Sequence, residues 1–491
     1  MLNLNRISKN PESGGNSRII IFLIACVAVF GLLRLLAACN DFYVDEIWSF
    51  YFASRMKSPF DAFSIQHDNN HILNTVYLYL VGDGPGFVSG RPEFIWHRLP
   101  SIASGTVSLW LLGRMALQRS RLEAFTVVLL AGLSYPLIIY SSEARGYAPA
   151  ILFALVSFML MRAHMDRPKA YLLPLFWATV AAAFLFHSSF IYVYLALGAW
   201  STARGALGAR AGWSKGIAGA VKGLAKLHAV PLAFVAALYL FFLKDMVIGG
   251  GQLGGLWKEI LVTAGMVTGL PVEGVYGLLA ISAVLLLSCI GLIGLAGYGS
   301  GEWVFYLFAV FIAPALTIAV MKPELIYFRY FLVSFPFLYI IIAHAMTRVY
   351  GRPVWGRPVY IVLLLVFISL NINSLWKFHA YGRGQYYDAV EYMTGNSQND
   401  EILVGSDHDF RNKIVLGFYS TFFKGKRISY IDREQRASAA PEWMLLHSLD
   451  VDYRPQGYIF DSGYRYSLEK SYPYAGVSGW SWFVYRRDDG G

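Results

Sequence analysis

The sequence is poor in charge and in cysteine. Of its 491 residues, 15% are Asp, Glu, Lys or Arg and 56% are hydrophobic, a balance outside the range of a soluble globular chain of this size. Most of the length must face lipid or other apolar helices. The chain has 3 cysteines. Cys26 and Cys289 sit inside apolar runs and Cys39 at the end of one, which excludes a disulfide framework and a cysteine-based metal site. Internal repeats are absent, and the one biased tract is a Gly/Ala-rich basic stretch at 204–226.

What the chain does have is a succession of apolar runs. A basic flank with Arg6, Lys9 and Arg18 precedes a run from Ile19 to about Ala38. That run exceeds the core of a signal peptide and reads as an uncleaved first helix. A spanning length of roughly 20 apolar residues, relaxed where polar breaks intervene, predicts eleven helices near 19–38, 99–117, 123–140, 147–163, 171–186, 189–203, 229–243, 274–297, 303–320, 330–347 and 359–376. Trp257–Pro271 is either an interfacial helix or a further span.

The formal charge of +10 follows from topology. Lys and Arg concentrate in alternate connections: Arg119 and Arg121; Arg162, Arg167 and Lys169; Arg204 through Lys226; Arg348, Arg352 and Arg357. The positive-inside bias assigns these connections and the N-terminus to the cytoplasm, and no nucleic-acid partner is needed to explain the charge. The outer face then receives residues 39–98, the turn at Glu143 and Arg145, the turn at His187, residues 244–273 and 321–329, and everything after Trp376. None of these segments contains an Asn-x-Ser/Thr sequon, which fits a bacterial inner membrane better than the endoplasmic reticulum.

After Trp376 the pattern turns to short β-type runs at Glu401–Val404, Ile428–Ile431, Tyr458–Phe460 and Trp480–Tyr485, preceded by a helix around Asp388–Met393. The expected architecture is an all-α polytopic membrane bundle of about eleven helices over residues 1–376, with a long external first loop at 39–98. A small soluble α/β domain over 377–491 follows on the external side.

Candidate chemistry gathers on that external side. The first loop opens with Asp41-Phe42-Tyr43-Val44-Asp45-Glu46. A carboxylate at the membrane boundary is partly desolvated and suits a general base, although two interfacial acids could simply end a helix. Later in the loop, His67 and His71 stand four apart, as in a helical zinc motif, but Asn69 and Asn70 between them disfavour a helix. Lining of a substrate cavity by His71 and Asn74 is the preferred reading.

The turn Tyr140-Ser141-Ser142-Glu143-Ala144-Arg145-Gly146-Tyr147 sets an acidic and a basic residue beside the bilayer. They either pair to cap the next helix, or Arg145 holds an anion, for which guanidinium geometry suits phosphate. Arg329, in Tyr327-Phe328-Arg329-Tyr330, either anchors its helix by snorkelling or serves the same anion.

In Asp45-Glu46 after the first helix, Ser142–Tyr147 before the fourth and Tyr327–Tyr330 through Pro336 in the tenth, the chain resembles the GT-C superfamily of membrane glycosyltransferases. These enzymes take a sugar from a polyprenyl phosphate carrier. Among them it is most similar to the protein mannosyltransferase-like branch, which includes bacterial transferases that add aminoarabinose or galacturonate to lipopolysaccharide. Many relatives carry a His-Pro-Pro stretch in the first loop, where this chain has Asn69-Asn70-His71-Ile72-Leu73-Asn74.

The resemblance implies an inverting glycosyltransferase acting on a lipid, glycan or protein acceptor. Asp45 would be the base, and Arg145 and Arg329 would hold the donor phosphate. Glu46 and Glu143 would orient these groups, with His71, Asn74, Tyr147 and Tyr330 in the substrate cavity. No cofactor is expected, although Asp45, Glu46, Glu143 and the histidines could ligate a divalent metal. Two other classes remain open: a transporter or flippase, which favours ionisable groups at the midplane, and a hydrolase using the same carboxylates with water.

Overall fold

The computed structural model describes residues 13–82, 84–88, 90–210, 216–249, 255–299 and 301–488. Arg6 and Lys9 of the basic flank and the middle of the 204–226 stretch lie outside the described residues. The chain folds into two compact units. The first comprises Met1–Leu36, Lys57–Tyr77 and Arg98–Ile372; the second comprises Ala37–Met56, Leu78–His97 and Asn373–Gly491. The external first loop is thus shared between them.

Every one of the apolar runs is helical. They form Ser13–Ala37, Ile95–Leu117, Arg121–Leu133, Tyr147–Asp166, Leu172–Phe186, Ile191–Arg210, Gly216–Phe241, Gly274–Ala296, Glu302–Leu307 running on to Met321, Phe335–Tyr350 and Gly356–Tyr381. Among the described residues, seven helical stretches are long and apolar enough to cross a membrane, and the protein is a polytopic membrane protein. The ambiguous segment forms a helix at Leu256–Thr268. Its 13 residues rise about 20 Å, short of the roughly 30 Å hydrocarbon core, and it ends where Gly269 takes a left-handed conformation.

Proline sets two of the breaks. Pro136 stands at the start of Tyr135–Tyr140 and ends the preceding helix at Leu133. Pro336 likewise opens Phe335–Tyr350 after a 3-10 turn at Phe328–Ser334. Inside the first unit, Phe158 packs between Trp200 and Phe305, with ring centroids 5.1 and 4.4 Å away. Helix Gly274–Ala296 buries a stripe of small residues, Gly277, Ala280, Ser288, Gly291 and Gly294. A Cβ at Gly291 would lie 2.3 Å from the Ile341 carbonyl oxygen; without one, the helices approach closely enough for dispersion contacts to hold them.

Charges within the bundle are met internally. The Arg34 guanidinium donates to the carbonyls of Phe30 at 2.9 Å and Ala131 at 3.2 Å. The Glu123 carboxylate accepts from Arg119 at 2.6 Å and lies 2.9 Å from Nδ1 of His344.

In the second unit, β1 (Gly86–Val88) and β2 (Arg91–Glu93) form a small antiparallel hairpin. The remaining strands are β3 (Glu401–Ser406), β4 (Arg427–Tyr430), β5 (Trp443–Ser448), β6 (Tyr458–Asp461), β7 (Tyr464–Tyr472) and β8 (Ser481–Arg487). They form a six-stranded sheet in the order β4-β3-β5-β8-β7-β6. β3 runs parallel to both β4 and β5, and the other pairings are antiparallel.

Alternation along β8 sends neighbouring side chains to opposite faces. Phe483 and Tyr485 join Met444 and Tyr466 in one core, whereas Trp482 meets Tyr386 at 4.8 Å and donates its indole N–H to Asn412 at 2.7 Å. Helix Val44–Ser54, from the first loop, belongs to this unit. It packs Phe50 and Tyr51 on Phe418 of helix Asp409–Ser420, with centroids 5.5 and 6.1 Å apart.

Because Glu123 serves both Arg119 and His344, its loss leaves two buried polar groups without their acceptor. The Glu123→Ala variant is expected to lose about 3 kcal/mol or more of stability. Thermal unfolding of the purified full-length protein should read this as a lower midpoint, with a smaller drop when His344→Leu is already present.

Candidate active site

The expected anion-binding residues assemble within the first unit. The turn from Tyr140 to Tyr147 is buried throughout, and buried backbone polar groups need partners. Other segments supply them. Asn74 Nδ2 donates to the Ala144 carbonyl at 2.8 Å, and Ser101 Oγ donates to the Arg145 carbonyl at 2.8 Å. The Gly146 N–H donates to Nδ1 of His71 at 2.8 Å. A Cβ at Gly146 would sit 1.9 Å from the Phe186 carbonyl oxygen and 2.6 Å from His71 Nδ1, so only glycine permits this approach.

Held this way, Arg145 donates from Nη2 to Asn69 Oδ1 at 2.8 Å and lies over the Tyr147 ring at 4.9 Å. Arg329, on the 3-10 turn, lies 4.6 Å from the Tyr327 ring and 5.9 Å from that of Tyr330. Glu143 is fully buried in the same turn, where its carbonyl accepts from the Arg145 N–H at 2.8 Å. His71, Asn74, Glu143, Arg145, Tyr147, Arg329 and Tyr330 all belong to this unit. Asn74, fully buried, acts as a clamp on the turn.

His187 joins them, although its sequence context shows only a turn between apolar helices. Its ring lies 4.1 Å from Tyr147 and 4.7 Å from His71. Burial, and then the Arg145 and Arg329 guanidiniums, push the His187 pKa down to about 3, with Asp68 opposing. Burial, and the charges of Arg145 and Arg329, hold His71 well below its ordinary value. Both imidazoles are therefore neutral at physiological pH, leaving the two guanidiniums as the cations of the cluster.

The two loop histidines do not share a helical face. His67 bridges to Val247 in extended conformation, and the helix begins only at Ile72. Burial raises the Asp68 carboxyl, but hydrogen bonds from His67 and the Gly249 N–H, with the charges of His67 and Arg145, leave it below its ordinary range. Asp68, His71 and His187 line the polar side of a cleft whose other wall includes Leu238, Phe242 and Met246. Among the described residues, no three His, Cys, Asp or Glu side chains gather as a metal-binding set.

Asp45 and Glu46 stand in the second unit, in the first turn of Val44–Ser54, where carboxylates favour the helix dipole. Glu46 is fully buried, 4.0 Å from the buried Arg383 Nε. Arg383 also donates to Asn40 Oδ1 at 2.9 Å. Asp45 is half-buried, and its Oδ2 accepts from the Tyr43 hydroxyl at 3.3 Å. Glu46 thereby fixes the start of the helix that carries Asp45.

Across its length the chain is similar to the crystal structure of ArnT from Cupriavidus metallidurans in the apo state, with a TM-score of 0.53 and 12% identity over 88% of this chain and 93% of that one. The chain has an ArnT-like fold. ArnT from Cupriavidus metallidurans bound to undecaprenyl phosphate aligns at 12% identity over 95% of this chain and 97% of that one, with a TM-score of 0.43. No protein-family model matches the sequence, and no curated protein does. The ArnT-like architecture agrees with the expected bundle followed by an α/β domain.

The Gly146→Ala variant should displace His71 and the turn together. A destabilisation of about 2 kcal/mol or more is expected from overpacking, whereas Gly198→Ala, in open space, should leave the unfolding midpoint unchanged. Acid gives a second test. A histidine with a depressed folded pKa binds fewer protons folded than unfolded, so stability is retained above its ordinary pKa of 6.5 and falls as the pH drops from there towards 3. Unfolding midpoints measured across that range should decline, and less steeply in His187→Gln.

Proposed function

We propose that this protein is an inverting glycosyltransferase that moves a sugar from a polyprenyl-phosphate donor to a hydroxyl of a lipid, glycan or protein acceptor on the external membrane face. The observation carrying this reading is the pair of guanidiniums, Arg145 and Arg329, grouped with two neutral imidazoles. Such a site favours a dianionic leaving group without supplying an acid strong enough to be needed for its departure. The ArnT-like fold and the three GT-C-like motifs support it.

In the proposed reaction the acceptor oxygen attacks the anomeric carbon from the face opposite the phosphate while Asp45 takes its proton. The bond from the anomeric carbon to the phosphate oxygen breaks with its electron pair going to that oxygen. The diester becomes a polyprenyl phosphate monoester with one more negative charge, which Arg145 and Arg329 neutralise. Glu46, through Arg383, is a positioning residue for the Asp45 helix. Glu143, Tyr147 and Tyr330 belong to the substrate cavity, and His71 and Asn74 hold the Arg145 turn.

The polyprenyl chain would lie among apolar helices with its phosphate at headgroup depth. The setting proposed is a bacterial inner membrane, with the N-terminus cytoplasmic and the 377–491 domain periplasmic.

Transfer of radiolabelled sugar from polyprenyl phosphate donors to endogenous acceptors, in membranes carrying each variant at equal abundance, tests the reading. Asp45→Asn should lower transfer about 100-fold or more, and Arg145→Ala by a similar factor. Undiminished transfer by Asp45→Asn removes the base. Lipid flux in vesicles that persists in Asp45→Asn, with no transfer by the unaltered protein, would instead support a flippase.

A further inference from the structure

The second unit holds a cluster that the proposed transfer reaction does not use. The connection leaving β3 runs through helix Asp409–Ser420 to β4 on one side, whereas the connection leaving β5 runs to β6 at the far edge. Adjacent parallel strands whose following connections depart in opposite directions leave a crevice at their carboxyl ends, where open α/β sheets bind ligands. At this crevice stand Asp407 and His408 after β3, Arg411 in the first turn of the helix, and His447 on β5.

Hydrogen bonds settle which groups remain to meet a ligand. The Asp407 carboxylate accepts from the His447 N–H at 3.1 Å, from His447 Nδ1 at 2.9 Å and from Asn412 at 3.2 Å. His447 Nδ1 is therefore the protonated nitrogen, and its Nε2 accepts from Arg411 Nη1 at 3.4 Å. His408 Nδ1 accepts from the Arg411 N–H at 3.4 Å, which leaves its proton on Nε2. Burial, and then the charge of Arg411, keep His408 below its ordinary pKa.

The neighbouring acid Asp409 is consumed by Tyr430 at 2.7 Å, the Arg433 N–H at 3.1 Å and Arg436 at 3.5 Å. Arg411 is half-buried and, among the described residues, has no carboxylate within ion-pair distance. Its guanidinium lies 5.8 Å from the ring of Trp480, whose indole N–H is buried and has no acceptor. The crevice thus holds Arg411 and His408 as donors, with the unpartnered Trp480 indole beside Arg411, while both acids are already occupied.

We infer that this crevice is a binding site for a phosphoryl group. A tetrahedral oxyanion presents acceptor oxygens in several directions, matching donors from two separate segments, the start of helix Asp409–Ser420 and Trp480 before β8. Helix Val44–Ser54, which carries Asp45, touches the same helix start, since Trp48 stacks on the exposed Phe410 at 6.2 Å. On the glycosyltransferase reading, the phosphoryl group belongs to the acceptor, which this domain would hold beside the Asp45 helix. That assignment rests on the proposed function; the anion site does not.

The test uses full-length protein labelled with 5-fluorotryptophan in phosphatidylcholine nanodiscs, with the Trp480 fluorine resonance assigned from Trp480→Phe. Titration with inorganic phosphate at constant ionic strength should shift that resonance saturably. Arg411→Gln should weaken the apparent affinity about 10-fold or more and Arg411→Lys by less, with the Trp443 and Trp482 resonances unmoved as the sign of an intact fold. A second arm replaces part of the lipid with phosphatidylglycerol. A shift found only there assigns the site to a lipid headgroup, and saturation by soluble phosphate assigns it to a glycan or other soluble phosphate. A Trp480 response that is absent in both arms, or unchanged by Arg411→Gln, overturns the inference whatever the transfer assay shows. A retained response in a protein that transfers no sugar keeps the site and removes only its acceptor role.

Discussion

A charged turn survives in an apolar bundle only if every polar backbone group in it has a partner. In the turn from Tyr140 to Tyr147 those partners are side chains from distant segments: Asn74 and His71 from the first loop and Ser101 from helix Ile95–Leu117. The same bonds that satisfy the carbonyls fix the direction of Arg145. Site and scaffold are thus one network, in which the guanidinium is aimed by the hydrogen bonds that make its burial tolerable. The neutrality of His71 and His187 follows from the same burial, because two cations nearby leave no room for a third.

The second unit applies the same rule beside its β-sheet. Arg383 is buried and would be costly alone; Glu46 and Asn40 meet it and tie the start of Val44–Ser54 to the segment that enters the α/β domain. Phe42 stacks on Phe94 at 3.9 Å, and its carbonyl accepts from the Tyr419 hydroxyl at 2.9 Å. The start of the first loop is therefore part of the core of this unit. Its proposed catalytic base sits on an element whose position is set by the domain after Trp376, which gives that domain a reason to exist beyond its own crevice.

The membrane helices are legible in the sequence because each is an apolar run bounded by polar breaks, Pro or Gly, a signal that needs no knowledge of neighbours. The turn around Arg145 is legible for a related reason: charge with almost no loop around it is conspicuous. His187 is not, since one imidazole between two apolar helices has no spacing partner, and its contacts with Tyr147 and His71 arise only from helix packing. The sequence suggests a lining role for Asn74, whereas its amide is committed to a carbonyl 70 residues away. In the α/β domain, β3, β4, β6 and β8 coincide with the β-type runs, but β5 and β7 escape that pattern. β5 ends in the polar pair His447-Ser448, and β7 carries Arg465, Ser467, Glu469, Lys470 and Ser471 among its apolar residues on a half-exposed surface. Helix Asp409–Ser420 escapes it too, because its polar first turn hides its apolar face. The crevice cluster joins Asp407 to a histidine 40 positions later, a separation at which no local pattern links them.

The path of the chain between its two units bears on how the protein is made. It passes from one unit to the other near residues 36, 56, 77, 97 and 372, so neither unit is a contiguous stretch of the polypeptide. The hydroxyl of Tyr419 reaches back 377 positions to Phe42. During synthesis, which proceeds from the N-terminus, Val44–Ser54 leaves the ribosome long before the helix it packs against exists. Val44–Ser54 must carry its aromatic side chains uncovered until almost the whole membrane bundle has been inserted. Completion of the second unit is a late and non-local event, slow by the logic of loop closure, and a chain halted within the final helices of the bundle would display an unfinished hydrophobic surface for quality-control proteases to recognise.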